Sequence, residues 1–183
     1  MKAGREKVVI IIISYKRNLL PREQIALQEC YKALGQHPIR IVCPRGLDVS
    51  EYRKIEPTAV FDFIPPEWQE SYASFNRLMI EPFLYQRYRH FQYILFYQPD
   101  AFVFRDELLS WCNKGYDYIG APWFADCGNN PDGVYGGLGM VDFHFVRQNR
   151  ICEFIRTLSF LRHWRLTRNI SNYQQAQSDW LED

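Results

Sequence analysis

Five apolar and aromatic residues, Tyr93–Tyr97 (YILFY), run without a polar interruption into Gln98-Pro99-Asp100, and a second apolar stretch, Ala101–Phe104, follows at once. No other feature narrows the possible folds as much. A half-exposed strand alternates polar and apolar residues, whereas an unbroken run is the pattern of a strand covered on both faces, as in sheets built from βαβ units. An ionised carboxylate left inside such a core without a partner costs roughly several kcal/mol. Asp100 must therefore emerge at a strand end, or a cation or a hydrogen-bond network must meet it.

Val8–Ile13 (VVIIII) is a second run of this kind and predicts the first strand. NLLPREQIALQECYKALG then gives a helix, with Pro21 in its first turn and Gly35 just past its end. Residues 39–43 and 59–63 read as strands, PRGLD at 44–48 as a loop, and Pro65-Pro66 as a turn. Residues 69–90 read as helical, with Pro82 dividing two helices. Asp106 is placed to cap a helix, ELLSWCNK, that stops at Gly115, and 116–122 is a further strand with its exit. Residues 125–139 form a long Gly-, Asn- and Asp-rich loop, of a kind that is either functional or disordered. MVDFHFV (140–146) alternates, which puts Asp142 and His144 on one strand face, and a helix is expected from about Asn149 to Leu161. Strands alternating with helices predict an α/β fold: one Rossmann-like domain over 1–183, with a mostly parallel, mixed sheet flanked by helices.

A formal net charge of +1 excludes a whole-molecule pull on nucleic acid. Arginines are nevertheless concentrated in 147–168. That segment reads either as a solvated helix face or as a peripheral contact with a membrane surface or polyanion. The five cysteines are widely spaced and contain no C-x-x-C pair, so reduced thiols in a cytoplasmic compartment are expected rather than a zinc site or a disulfide framework. The opening MKAGREKVVIIIISYKR reads as a buried strand and not as a signal peptide, since its apolar part is short and leads straight into Lys16 and Arg17.

Ligands of open α/β sheets bind beyond the carboxyl ends of the parallel strands. SYKRN (14–18), PRGLD (44–48), QPD (98–100) and the loop from Pro122 should gather there. They offer the cations Lys16, Arg17 and Arg45, the acid Asp100 and the aromatic Trp123. Cations and backbone N–H groups suit phosphate, and a carboxylate suits a divalent metal bridging phosphates. The ligand so described is of nucleotide type. Neither glycine-rich phosphate-binding motif is present, so metal and isolated cations would hold the phosphates.

ISYKRNLLPREQIALQECYKALGQHPIRIVCPRGLD, followed by FNRLMIEPFLYQRYRHFQYILFYQPDAFVFRDELLSWCNKGYDYIGAPWF, resembles an uncharacterised bacterial family related to GT-A glycosyltransferases, over roughly residues 8–124. The resemblance implies a GT-A-like domain that binds a nucleotide-diphospho-sugar and passes the sugar to a glycan or other hydroxyl acceptor, in polysaccharide biosynthesis. In GT-A enzymes a D-x-D motif at a strand end ligates Mn²⁺ or Mg²⁺. Gln98-Pro99-Asp100 stands in its place, so Asp100 matches the metal-binding acid while Gln98 replaces the other. Tyr15, Lys16 and Arg17 would meet base and ribose, and Asn76, Arg77 and Trp123 are further donor-side candidates. Each has a plain alternative: a charged strand exit, a surface arginine, a core tryptophan.

After Phe124 the resemblance decays. Tyr135-Gly136-Gly137-Leu138-Gly139 is the nearest segment to the family's G-N-G-G-like turn, and the acidic acceptor-side step has its nearest counterpart in Glu182-Asp183. Asp142, Asp179 and Glu182 are the candidate catalytic bases, and an acceptor half cut short is one reading of the ending SDWLED. A non-catalytic nucleotide-sugar or glycan-binding module on the same scaffold is the alternative to an enzyme.

Overall fold

In a computed structural model of the protein, residues 6–120 and 143–148 are described. They form six strands in one sheet, ordered β3-β2-β1-β4-β6-β5. The chain runs β1 (Glu6–Ile13), α1 (Pro21–Leu34), β2 (Ile39–Pro44), α2 (Ser50–Ile55), β3 (Phe61–Ile64), a single turn of 3-10 helix (Pro66–Trp68), α3 (Tyr72–Met79), α4 (Pro82–Arg87), β4 (Phe91–Tyr97), α5 (Leu108–Lys114), β5 (Tyr118–Gly120) and β6 (Phe143–Arg147). β3, β2, β1 and β4 are parallel, and β6 runs antiparallel between β4 and β5. The fold is thus α/β with a mostly parallel, mixed sheet flanked by helices.

The two unbroken apolar runs are the adjacent central strands. β1 pairs with β4 from Glu6↔Phe91 to Ile12↔Tyr97. On one face Val8, Ile10 and Ile12 pack with Tyr93, Leu95 and Tyr97 under α1, α2 and α5, through residues such as Leu27, Tyr52 and Leu108. On the other, Val9 and Ile11 pack with Ile94 and Phe96 under α3 and α4, through Leu78, Met79, Leu84 and Tyr85. Both faces being covered is why neither strand alternates in sequence.

Helix punctuation follows the residues closely. Pro21 opens α1, and Glu23 reaches back to the Leu20 N–H at 2.8 Å, the half of a capping box that a leucine N-cap permits. Pro82 opens α4 and separates it from α3. The Asp106 carboxylate accepts from the Leu108 N–H at 2.9 Å, and Gly115, with φ of 76°, closes α5 in the left-handed conformation that lacks a Cβ penalty. Two expectations shift. The third strand is Phe61–Ile64 rather than 59–63, and the chain after PRGLD turns into α2, for which no helix was expected. The loop 125–139 and the helix from Asn149 lie outside the described residues. Among the described residues no helix is long and apolar enough to cross a membrane.

Candidate functional site

β1, β2 and β3 are laid down in one direction across the sheet, and β4 then returns to the other flank of β1. Strand order reverses between β1 and β4, and the crevice beyond the carboxyl ends at such a reversal is the general ligand position of open α/β sheets. With Ile12 opposite Tyr97, the chain leaves β1 as Ser14-Tyr15-Lys16-Arg17 and leaves β4 as Gln98-Pro99-Asp100, side by side.

The β1 exit is held from α2, the helix that sequence reading missed. Tyr52, 1% exposed, donates from its hydroxyl to the Lys16 carbonyl at 2.7 Å, so the proton on its 2.6 Å contact with Ser14 comes from the serine Oγ. Burial pushes the Tyr52 hydroxyl up to about 12, so it stays protonated as this arrangement requires. Glu51 accepts from the Leu19 N–H at 2.8 Å and from Gln24 Nε2 at 3.0 Å. The loop from Ser14 to Leu19 is thereby fixed at both ends. A signal for α2 does exist, because Asp48 accepts from the Ser50 N–H at 3.0 Å, as an acid placed before a helix does.

Of the predicted donor-side residues, Tyr15 is exposed, whereas Lys16 and Arg17 already have partners. Lys16 Nζ lies 2.5 Å from the Glu23 carboxylate, which is almost fully buried. Burial alone would raise the Glu23 pKa, but the Lys16 contact and the Leu20 N–H outweigh it and hold the group below the usual carboxylate range. Arg17 pairs with Asp48 at 3.0 Å on the surface. Arg45, in the turn beyond β2, has no ion pair among the described residues. That turn closes with the Leu47 N–H on the Pro44 carbonyl and places Gly46 at φ 86°.

At the β4 exit the opening puzzle has a simple geometry. The Ala101 N–H donates to the Gln98 carbonyl at 3.0 Å, so Gln98–Ala101 is a turn. The turn is pinned from below, where the buried Tyr97 hydroxyl lies 2.6 Å from the Ala101 carbonyl and 3.0 Å from the Ala26 carbonyl of α1. Burial pushes the Tyr97 hydroxyl well up, with the neighbouring Cys30 and Asp100 adding to the shift. Asp100 itself is exposed at the tip, beside Gln98, which is half-buried. The carboxylate interrupts two buried runs because it sits on the turn that carries the chain out of the sheet.

Asn76 and Arg77 lie on the exposed side of α3, in the opposite helical layer from α1 and α2. Arg77 is drawn to Glu81, 3.5 Å away, and lies over the Trp68 ring at 5.5 Å. No hydrogen bond or ion pair joins Asn76 or Arg77 to either strand exit among the described residues. Trp123, Asp142, Asp179 and Glu182 lie outside the described residues, and His144 is placed in β6 opposite Phe96 by its backbone.

For a divalent metal, no group of three or more His, Cys, Asp or Glu side chains is assembled among the described residues. Asp100 is the carboxylate available at the crevice, with no ion-pair partner among the described residues. That fits an ion such as Mg²⁺, which keeps several waters and takes one or two carboxylates together with substrate phosphates, and not a cage made wholly of protein.

Residues 58–180 match the family described as a protein of unknown function (DUF5672), which spans more than half of the chain. No curated protein matches the chain. Among solved structures it is similar to 4-diphosphocytidyl-2C-methyl-D-erythritol synthase from Anaerococcus prevotii DSM 20548, at 11% sequence identity and a TM-score of 0.49, over 88% of this chain and 78% of that one.

Proposed function

We propose that this chain, which belongs to the DUF5672 family, is a GT-A-type glycosyltransferase that binds a nucleotide-diphospho-sugar at the β1–β4 crevice and passes the sugar to a hydroxyl acceptor. The observation that carries this reading is the strand-order reversal, which sets the β1 exit beside an exposed acid on the pinned Gln98–Ala101 turn. Tyr15, exposed at that exit, offers a face for a base or sugar ring, while Arg17 and Arg45 offer charge for phosphates. Asp100 would hold Mn²⁺ or Mg²⁺ against the diphosphate, and such an ion supplies Lewis acidity that stabilises charge on the departing nucleotide. The fixed loop from Ser14 to Leu19 orients the donor without reorganising. Asn76, Arg77 and Trp123 remain donor-side proposals, and Asp142, Asp179 and Glu182 remain proposals for the acceptor-side base.

A second reading, a donor-binding module without turnover, draws on Gln98 standing where a second acid would be and on Lys16 being already neutralised by Glu23. Calorimetric titration of UDP and GDP, with and without Mn²⁺, tests the shared core of both. Metal-dependent binding that Asp100→Ala removes is the expected result; equal binding by the variant overturns the assignment of Asp100. Slow metal-stimulated hydrolysis of a bound sugar nucleotide then separates the enzyme from the module.

A further inference from the structure

One ion pair joins the loops that leave β1 and β2. Arg17 of the β1 exit and Asp48 of the β2 turn meet at 3.0 Å, and both side chains are exposed. The two Asp48 oxygens have separate partners. Oδ1 accepts from the Ser50 N–H at 3.0 Å, at the start of α2, and Oδ2 holds the Arg17 guanidinium. The hydrogen bonds from Ser50, with Arg17 adding to them, keep the Asp48 carboxyl below its usual range, so it is ionised at neutral pH. The acid is therefore the fixed end of the pair and the arginine its movable end. Backbone on either side of Arg17 is fixed as well, because the Lys16 carbonyl accepts from Tyr52 and the Leu19 N–H donates to Glu51. A ligand arriving there can redirect the Arg17 side chain without reorganising the loop.

Strand order gives this contact a direction. β1 lies between β2 and β4, so Asp48 draws Arg17 to the β2 side of the exit, whereas Asp100 stands on the β4 side. The other carboxylates of these loops are engaged without Arg17. Glu23 is held by Lys16 and the Leu20 N–H, and Glu51 by the Leu19 N–H and Gln24. Among the described residues, Asp48 is thus the acid whose neutralisation releases Arg17. An exposed pair of this kind is weak, which is the condition for exchanging it. The planar fork of arginine fits a phosphate as well as a carboxylate, so the exchange replaces one charge-assisted contact with another.

We propose that Asp48 is an internal competitor for the donor's phosphates, holding Arg17 away from the crevice until a diphosphate takes the guanidinium over. The inference rests on the donor-site reading and adds a control on that site. It also makes the site selective by charge, since a ligand without phosphate cannot displace Asp48 and gains nothing from Arg17.

The test is calorimetric titration of UDP with Mn²⁺, and separately of inorganic pyrophosphate with Mn²⁺ as a probe without a base, into the parent, Asp48→Asn, Arg17→Ala and the double variant. Asparagine keeps an oxygen for the Ser50 N–H, so the urea midpoint of Asp48→Asn should match the parent's. Its affinity for both probes should rise about two- to fivefold, the factor that an exposed ion pair withholds. In the Arg17→Ala background the same substitution should lose that gain. An equal rise in both backgrounds overturns the proposal, because Asp48 would then act only through its field and not by holding Arg17. If UDP binds the parent and Asp48→Asn equally, the competitor role falls and the nucleotide reading stands. If pyrophosphate shows the expected pattern while UDP binds no better than uridine, the competitor role stands and the nucleotide reading falls. Absence of binding by either probe overturns both.

Discussion

Tyr52→Phe removes one oxygen from the molecule and should cost about 2–4 kcal/mol, from the lost hydrogen bond to the Lys16 carbonyl at about 1 kcal/mol and the Ser14 hydroxyl left buried and unsatisfied at about 1–3 kcal/mol. The hydroxyl lies 2.6 Å from Ser14 Oγ and 2.7 Å from the Lys16 carbonyl. Ser14 is 5% exposed, so without Tyr52 its Oγ is stranded where water cannot replace the acceptor. For a chain of this length the loss should lower Tm by about 5–15 °C. Urea unfolding followed by circular dichroism reads the cost directly, and Ser14→Ala made in both backgrounds completes a double-mutant cycle. Removing the stranded hydroxyl should return part of the stability, giving a coupling of about 1 kcal/mol or more. Additive single effects, or a Tyr52→Phe cost below about 0.5 kcal/mol, would refute the view that α2 fixes the β1 exit.

Further expectations concern the core, the thiols and acid. Ile10 is fully buried between β2 and β4, so Ile10→Ala should cost about 2–5 kcal/mol in urea unfolding; a cost near zero would place it outside the packed core. Burial pushes the Cys30 thiol up to about 12 and those of Cys43 and Cys112 up to about 11, so these should react with a thiol reagent at neutral pH only when the protein unfolds. Burial also acts to raise Asp62, but the hydrogen bonds from Arg87 and Tyr88, each 2.7 Å, prevail and hold it below its ordinary range. Such a depressed carboxylate adds stability that is complete above its unfolded pKa of about 3.9 and is lost as pH falls through the folded value. Unfolding free energy should therefore drop below about pH 4, less steeply in Asp62→Asn; an identical acid profile for the variant would remove Asp62 from the cause.

The parts of the fold legible in the sequence are those fixed by local chemistry. Unbroken apolar runs gave β1 and β4, prolines 21 and 82 gave helix starts, and Gly115 gave a helix end, because each residue type constrains its own backbone. α2 is faint in the sequence, since six residues carry too little periodicity and its N-cap, Val49, has no capping side chain, which leaves the acid ahead of it, Asp48, as its cue. Its tyrosine matters through a contact with Ser14, 38 positions away, which no local pattern encodes. The site divides the same way. That QPD ends a buried strand can be read from residue types, but that β1 and β4 are neighbours at the reversal is a property of strand order. Lys16 and Arg17 read as available cations in sequence, whereas their acids, Glu23 and Asp48, are brought to them by the fold.

Those pairings rank the cations that a diphosphate could recruit. Glu23 has a side chain 5% exposed, so Lys16→Met would deprive a carboxylate that cannot turn toward water of its nearest charge, leaving it the Leu20 N–H. The cost should be about 1–3 kcal/mol, discounted because Lys16 is itself partly in solvent. Arg17 and Asp48 are 71% and 44% exposed, and a pair of that kind contributes about 0–1 kcal/mol and reopens easily. Arg45 has no pair to break among the described residues. Arriving phosphates should therefore draw on Arg17 and Arg45 before Lys16. Arg17→Ala and Arg45→Ala should lower UDP affinity and flatten its salt dependence, with unfolding free energy changed by no more than about 0.5 kcal/mol. Lys16→Met should do the reverse, lowering stability more than affinity. Should Lys16→Met abolish nucleotide binding while its urea midpoint stays at the parent value, the lysine contacts the ligand and its pairing with Glu23 is a resting state of the site.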